Sequence, residues 1–264
     1  HIITNSSKSS KNLIITENKN SYLKNLAHKI KADVIEHKNY IGGRFSVLSE
    51  VGMLPAELMG LNENKFKQFN DLIIKKHFID KLIKNVLSTY KYVKEKKYNS
   101  IILNYDPLSE DLFKWYQQLV SESLGKKSKG IIPIISTMPK DNHSILQLYL
   151  SGFKSNFYTF YITGENRGSK LNSKLLFDEF HFLRNKNVFD VINSQRIATE
   201  NIFKKKNIPF RSFFIKKKNE ETLGKLFCFF TLEVILLAHL LNINPLDQPE
   251  VELVKRETFK ILKN

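Results

Sequence analysis

The chain has 264 residues, enough for one large domain or two small ones and for a core that needs no covalent staples. Hydrophobic residues make up 42% and charged residues 26%, which excludes wholesale disorder, and a single cysteine, Cys228, excludes a disulfide framework and a cysteine-built zinc site and suits a reducing cytoplasm. Lysine and arginine number 42 against 26 acidic residues, a net charge of +16 that fits a nucleic acid, a small anionic substrate, or a merely compositional background.

In chain order, residues 5–12 read as a polar loop and residues 13–16 as a short buried strand. Residues 21–31 show helical spacing at Tyr22, Leu23, Leu26 and Ile30, and 33–36 read as a second strand. A helix is expected over 53–59, then one long lysine-studded helical region over 64–97, with Phe66, Phe69, Leu72 and Ile73 on one face. Strands follow at 100–105, 131–135, 156–162 and 210–215. Between them, a helix over 109–123 is expected to close on a left-handed cap at Gly125, and another starts at 141–150 with Asp141 or Asn142 as its cap. Helices over 220–241 and 251–263 complete the chain. Strands alternating with helices predict an α/β fold, a three-layer sandwich with a mostly parallel sheet, and ligands gathered beyond the carboxyl ends of its strands.

Neither of two broader partners is expected. The lysines are scattered in short clusters at 94–97, 204–206 and 216–218, and none joins a nucleic-acid-binding signature. Abundant Lys, Asn, Ile and Phe match an AT-rich compositional background, so no nucleic acid is expected. Residues 226–243 approach the length of a membrane span, but Glu233 and His239 are costly in hydrocarbon, so a buried core helix is expected and no membrane. The first residue is His1, which points to a fragment or a processed product, and no secretory signal is visible.

Four segments carry candidate chemistry. In residues 42–60 (GGRFSVLSEVGMLPAELMG), Gly42 and Gly43 let backbone approach a ligand and leave Arg44 at its edge to stabilise developing negative charge, or Arg44 forms a structural ion pair. In 115–126 (WYQQLVSESLGK), Glu122 sits in the last turn of a helix, whose dipole disfavours its charge. That tunes it as a general base, or it is a solvated glutamate at a helix end. In 141–152 (DNHSILQLYLSG), His143 lies at a helix start that favours neutral imidazole, fit for proton relay or for a surface cap. In 242–255 (NINPLDQPEVELVK), Gln248 presents its amide from an entry loop and Lys255 lies nearly two turns further on; the alternative is a polar cap and an exposed lysine. Nucleotide-binding, zincin and α/β-hydrolase motifs are absent, and Gly164 to Gly168 (GENRG) is too loose to count.

Taken in order, GGRFSVLS, WYQQL followed by ESLGK, DNHSILQLYLSG and NPLDQPEVELVK resemble the signatures of the glucose-6-phosphate isomerase family, from about Leu13 onward. The resemblance implies two sugar-isomerase (SIS) subdomains, with residues 1–60 as the tail of the first and 61–264 as the second. It implies interconversion of glucose 6-phosphate and fructose 6-phosphate through a cis-enediol, in a cytoplasmic enzyme that needs no metal or organic cofactor. Glu122 would be the base, Arg44 would stabilise the enediolate, and Lys255 and His143 would assist ring opening. Gly43 and Gln248 would contact the substrate. The family lends its histidine across a subunit interface, so a homodimer is implied, with His143 serving the neighbouring copy. A sugar-phosphate-binding SIS module without turnover is the alternative. The chain departs from the family at Glu50, usually proline or small, at Leu246, usually aromatic, and at Glu250 and Val254, usually glycines. The family's serine/threonine phosphate loop is expected upstream of this resemblance, and residues 5–12 are read as a connecting loop instead.

Overall fold

The structure is a computed structural model that describes residues 12–164, 168–172 and 176–263. The loop expected over 5–12 falls outside the described residues except for Asn12, as do residues 165–167 of the GENRG stretch. The chain divides into two compact units, His1–Lys67 and Gln68–Asn264.

In the first unit, Leu13–Glu17 (β1) and Asp33–His37 (β2) pair in parallel, with Ile15 opposite Ile35, and Tyr22–Ile30 (α1) connects them. Ser21 caps α1 by accepting from the Lys24 amide at 3.3 Å, and Lys31 ends it in the left-handed conformation. A 3-10 turn, Gly43–Leu48, leads into Glu50–Leu58 (α2), and Glu63–Phe66 (α3) follows. A Cβ at Gly52 would lie 2.1 Å from the Val47 carbonyl oxygen, so only glycine lets the turn pack directly on α2.

The second unit begins with Phe69–Ile73 (α4) and Lys76–Lys94 (α5). The single helical region expected over 64–97 is therefore three helices. Lys67 and Lys75 leave helical geometry, with ψ of 78° and 105°, while Phe66 and Leu72 are each buried. Tertiary anchoring of one apolar residue per short helix outweighs continuity of the pattern.

Asn99–Asn104 (β3), Ile132–Thr137 (β4), Asn156–Thr163 (β5) and Phe210–Ile215 (β6) form a parallel sheet in the order β4-β3-β5-β6. Glu110–Leu124 (α6) precedes β4. Asp141–Ser144 (α7) and Leu146–Ser151 (α8) precede β5. Val188–Lys205 (α9) precedes β6, and Glu220–Leu240 (α10) and Pro249–Lys263 (α11) end the chain. Alternation along the strands sends Ile101, Leu103, Tyr158, Phe160 and Ile162 to one face, where Tyr149 of α8 and Phe203 of α9 cover them. Phe203 meets Tyr158 and Phe160 edge-on, with ring centroids 4.8 and 5.3 Å apart. On the other face Tyr161 meets Phe113 of α6, Phe157 stacks on Tyr92 of α5, and α10 packs on both helices. These are the three layers expected of an α/β sandwich.

Two helix ends differ from expectation. Gly125 closes α6 with φ −75°, not left-handed; a Cβ there would lie 2.7 Å from the Ser121 carbonyl oxygen, so close approach is what requires glycine. The positive φ angles fall instead on Lys127 and Ser128 in the following turn. The helix expected over 141–150 is two short ones, and neither Asp141 nor Asn142 is its cap. Asp141 Oδ2 instead accepts from the Thr137 amide and Ser136 hydroxyl, both at 2.8 Å, tying α7 back to the end of β4.

Helix α10 is long and apolar enough to cross a membrane by length and composition, and half of its most apolar stretch is buried in this chain. Its Glu233, 2% exposed, pairs with Arg211 of β6. Arg211 also donates to Thr159 Oγ1 at 2.9 Å and Asn85 Oδ1 at 2.8 Å, and Asn85 donates to Glu233 at 2.6 Å. Burial works against the Arg211 charge, but the adjacent carboxylate outweighs it and holds the guanidinium charged. Burial also pushes the nearby Tyr116 hydroxyl up. Glu233→Ala should destabilise the chain by about 3–5 kcal/mol in urea unfolding, because it strands a buried charge. A loss within a few tenths of a kcal/mol would mean that water reaches Arg211.

Candidate functional site

Gly43 and Arg44 belong to the first unit, and Glu122, His143, Gln248 and Lys255 to the second. In the first, Arg44 is 2% exposed and its guanidinium lies over the Phe45 ring at 5.3 Å. The turn that carries it is tightly bonded: Phe45 N–H donates to the Gly42 carbonyl at 2.8 Å, and the Ser46 hydroxyl to that of Gly43 at 2.7 Å. A Cβ built at Gly42 or Gly43 meets no described atom within 4 Å, so packing in this chain does not require glycine at either.

In the second unit, the segment 115–126 divides its labour by helix face. Trp115 meets Phe227 of α10, Tyr116 meets Phe230, and Gln117 donates to the Pro133 carbonyl at 2.9 Å, fixing α6 to its surroundings. Ser123 and Leu124 are fully buried, so the last turn is anchored. Glu122 is half-buried on that turn, and Gln118, one turn earlier, donates its side-chain amide to Glu122 Oε1 at 3.0 Å. The sequence reading assigns Gln118 no role, although its i,i+4 spacing from Glu122 was there to be read.

Lys126 is the second residue that reading passes over. Its ammonium, on a side chain 9% exposed, donates to the carbonyls of Asn244 and Asp247 at 2.5 and 2.6 Å and to Asp247 Oδ1 at 2.7 Å. Lys129 donates to the Leu241 carbonyl at 2.8 Å. These lysines strap the loop that ends at Gln248 to the turn just after Glu122. The hydrogen bond and charge of Lys126 hold the Asp247 carboxyl below its usual range.

The structure does not bring His143 to this place. Glu122 lies before the first residue of β4 and His143 after the last, so roughly 20 Å of strand separates the two ends. His143 is exposed, and it is the third residue of a one-turn helix, too short for the dipole expected at a helix start. Lys255 sits on α11, whose described residues are all exposed, and it pairs with Glu252 at 2.6 Å. Glu250 and Val254 lie within that helix; Val254 is 68% exposed and does not crowd Lys255. Glu122 and Gln248 thus gather at the amino edge of the sheet, and only His143 lies at the carboxyl edge where ligands were expected. Among the described residues, no group of His, Cys, Asp and Glu is arranged to hold a metal ion.

No family model matches the chain. A curated glucose-6-phosphate isomerase of Mycoplasmopsis synoviae is 35% identical over 234 residues, covering 84% of this chain and 54% of that protein. The chain is a relative of the glucose-6-phosphate isomerases. It spans about half the length of that relative. Among solved structures, a hypothetical protein from Thermus thermophilus superposes with a TM-score of 0.86 at 22% identity, over 96% of this chain and 63% of that one. A glucose-6-phosphate isomerase from Chlamydia trachomatis superposes with a TM-score of 0.70 at 17% identity, over 95% and 52%. These two likenesses establish the α/β fold of the chain.

Lys126→Met should speed amide exchange across residues 241–248 by roughly tenfold or more while leaving the middle of α6 protected, since it removes three charge-assisted hydrogen bonds. The Asp247 contribution should be present above the usual carboxylate range and fade as pH falls through its lowered value. Unchanged exchange in the variant would show that the loop is held by other contacts.

Proposed function

We propose that the chain is part of a glucose-6-phosphate isomerase that interconverts glucose 6-phosphate and fructose 6-phosphate, a step of glycolysis and gluconeogenesis. The observation that carries this reading is the half-buried Glu122, oriented by Gln118 and strapped by Lys126 to the loop of Gln248, in a relative of those enzymes. Glu122 takes the proton from C2 of the open-chain aldose. The electron pair left behind forms the C1–C2 double bond as the C1 carbonyl π pair moves onto its oxygen, giving a cis-enediolate; the same carboxyl returns the proton to C1 as the C2 hydroxyl proton passes to the C1 oxygen and the C2 oxygen becomes the ketone. The Gln118 amide fixes one carboxylate oxygen of Glu122. Gly42 and Gly43, whose missing side chains serve no packing need, give backbone access, and Arg44 stabilises the charge on the enediolate oxygens. Gln248 contacts the sugar, and Lys255 and His143 assist ring opening. No metal or organic cofactor enters this scheme.

The placement of His143 at the edge opposite Glu122 supports a homodimer in which each copy lends its histidine to the other. Residues 1–60 then form the tail of the first SIS subdomain and 61–264 the second. A cytoplasmic setting suits Cys228, which is buried and unpaired with its thiol pushed up to about 12 by burial. A second reading, a sugar-phosphate-binding module without turnover, is favoured by the exposed position of Lys255 and its pairing with Glu252.

Glu122→Gln should lower turnover of fructose 6-phosphate in a coupled assay by about 10²–10⁴-fold with an unchanged circular dichroism spectrum. Near-normal turnover would remove Glu122 as the base. Calorimetric binding of fructose 6-phosphate by the wild-type chain, with no turnover in either form, would favour the binding module.

A further inference from the structure

The segment between β2 and α2 carries Gly43 and Arg44, and its two ends meet on one side chain. His37 is the last residue of β2 and Glu50 the first of α2. The His37 ring contacts both sides of the segment: Nδ1 meets Glu50 Oε1, and Nε2 lies 2.8 Å from the Ile41 carbonyl oxygen. Ile41 immediately precedes Gly42-Gly43-Arg44, and Glu50 immediately follows the Ser49 that accepts from the Val51 amide.

Both partners of the ring are acceptors. A neutral imidazole has one N–H, so it satisfies one partner and turns a lone pair on the other. Only the imidazolium donates to both at once. The His37 side chain is 12% exposed, which leaves little room for water to replace a lost contact. Glu50 also explains one departure from the family pattern: the residue usually proline or small at the start of α2 is here the counter-ion of His37.

We propose that His37 and Glu50 are positioning residues for the Arg44 turn, and that this turn is fully held only while His37 is protonated. The catalytic consequence rests on the isomerase reading of Arg44. The charged groups around the ring are Glu50 from α2 and Glu17 from β1, the latter paired with Lys19; Glu36 and Lys38 flank it in sequence and pair with each other. Partial burial works against the His37 charge, but its bonds to Glu50 and the Ile41 carbonyl, with the charges of Glu50 and Glu17, outweigh it and raise its pKa above 6.5. Burial likewise opposes the Glu50 charge, while backbone bonds and His37 lower its pKa below 4.5. The His37 contribution is therefore complete below 6.5 and lost as pH rises through its raised value; that of Glu50 is present above 4.5 and lost as pH falls through its lowered value.

The test follows the His37 ring by NMR across pH in the full chain and in Glu50→Gln, with amide exchange at Gly42 to Phe45 corrected for its intrinsic pH dependence, and with the pH profile of isomerase kcat. His37 should titrate above 6.5 in the wild type and move down in E50Q. Exchange at the turn should rise roughly tenfold as the wild type passes that pKa, and should be fast throughout in E50Q. The alkaline limb of kcat should shift down with the His37 pKa in E50Q, while KM for fructose 6-phosphate changes less. A His37 pKa at or below 6.5, a pKa indifferent to E50Q, or exchange indifferent to His37 protonation overturns the clamp. If E50Q does not fold, the wild-type titration and exchange decide alone. Absence of turnover at every pH overturns the isomerase reading and leaves the titration and exchange to judge the clamp.

Discussion

Parallel pairing of strands is the constraint on which the rest depends. A parallel sheet forbids tight hairpins, so the segment after each strand must cross back over the sheet before the next strand begins. In the second unit this makes α6 run against the strands beside it, and the bond from Lys129 to the Leu241 carbonyl sets the end of α10 beside the end of α6. Their carboxyl termini consequently lie at the amino edge of the sheet, and residues that follow a strand lie at the other edge. The positions of Glu122 at the end of α6 and of His143 just after β4 follow from that alternation, and the Lys126 contacts bring the loop of Gln248 to the same edge as Glu122. One copy of the chain holds Glu122 and His143 on opposite edges, which is why the proposed chemistry requires a second copy.

Within this frame, polar contacts fix the loops that the core leaves free. The two faces of the sheet are closed by aromatic packing, with Phe203 on one side and Phe113 on the other. The segments of the candidate site are instead tied by single polar side chains: Lys126 across the loop of Gln248, and His37 across the turn of Arg44. Each is largely shielded from solvent and makes more than one contact, so it does more than a surface ion pair would. The Arg211 and Glu233 pair plays a different part, supplying a fully bonded polar group between the sheet and α10 where an apolar residue would otherwise be expected.

The layered fold was legible because its strands are short apolar runs with plain boundaries, such as residues 100–105 and 210–215. Helix α9 was not, since Asn193, Ser194, Gln195 and Arg196 interrupt its apolar spacing, and its start is a capping box at Asn187 and Asp190 rather than a hydrophobic signal. The break of the region 64–97 was hidden because no glycine or proline marks it. For the site, motif order pointed to Glu122 and Gln248, and the strap by Lys126 shows how their segments meet. Sequence could not show that strap or the His37 contact, because the partners are backbone carbonyls and the carboxylates of Asp247 and Glu50, whose proximity arises only on folding.

The central claim is that one copy supplies the base and another the histidine. Mixing Glu122→Gln with His143→Ala, after dissociation and reassociation, tests it directly. Each variant alone leaves every site defective, whereas a mixed dimer contains one site with both native groups. The account predicts recovery to about a quarter of wild-type turnover of fructose 6-phosphate for equal, randomly mixed subunits. A mixture no more active than its components would contradict it.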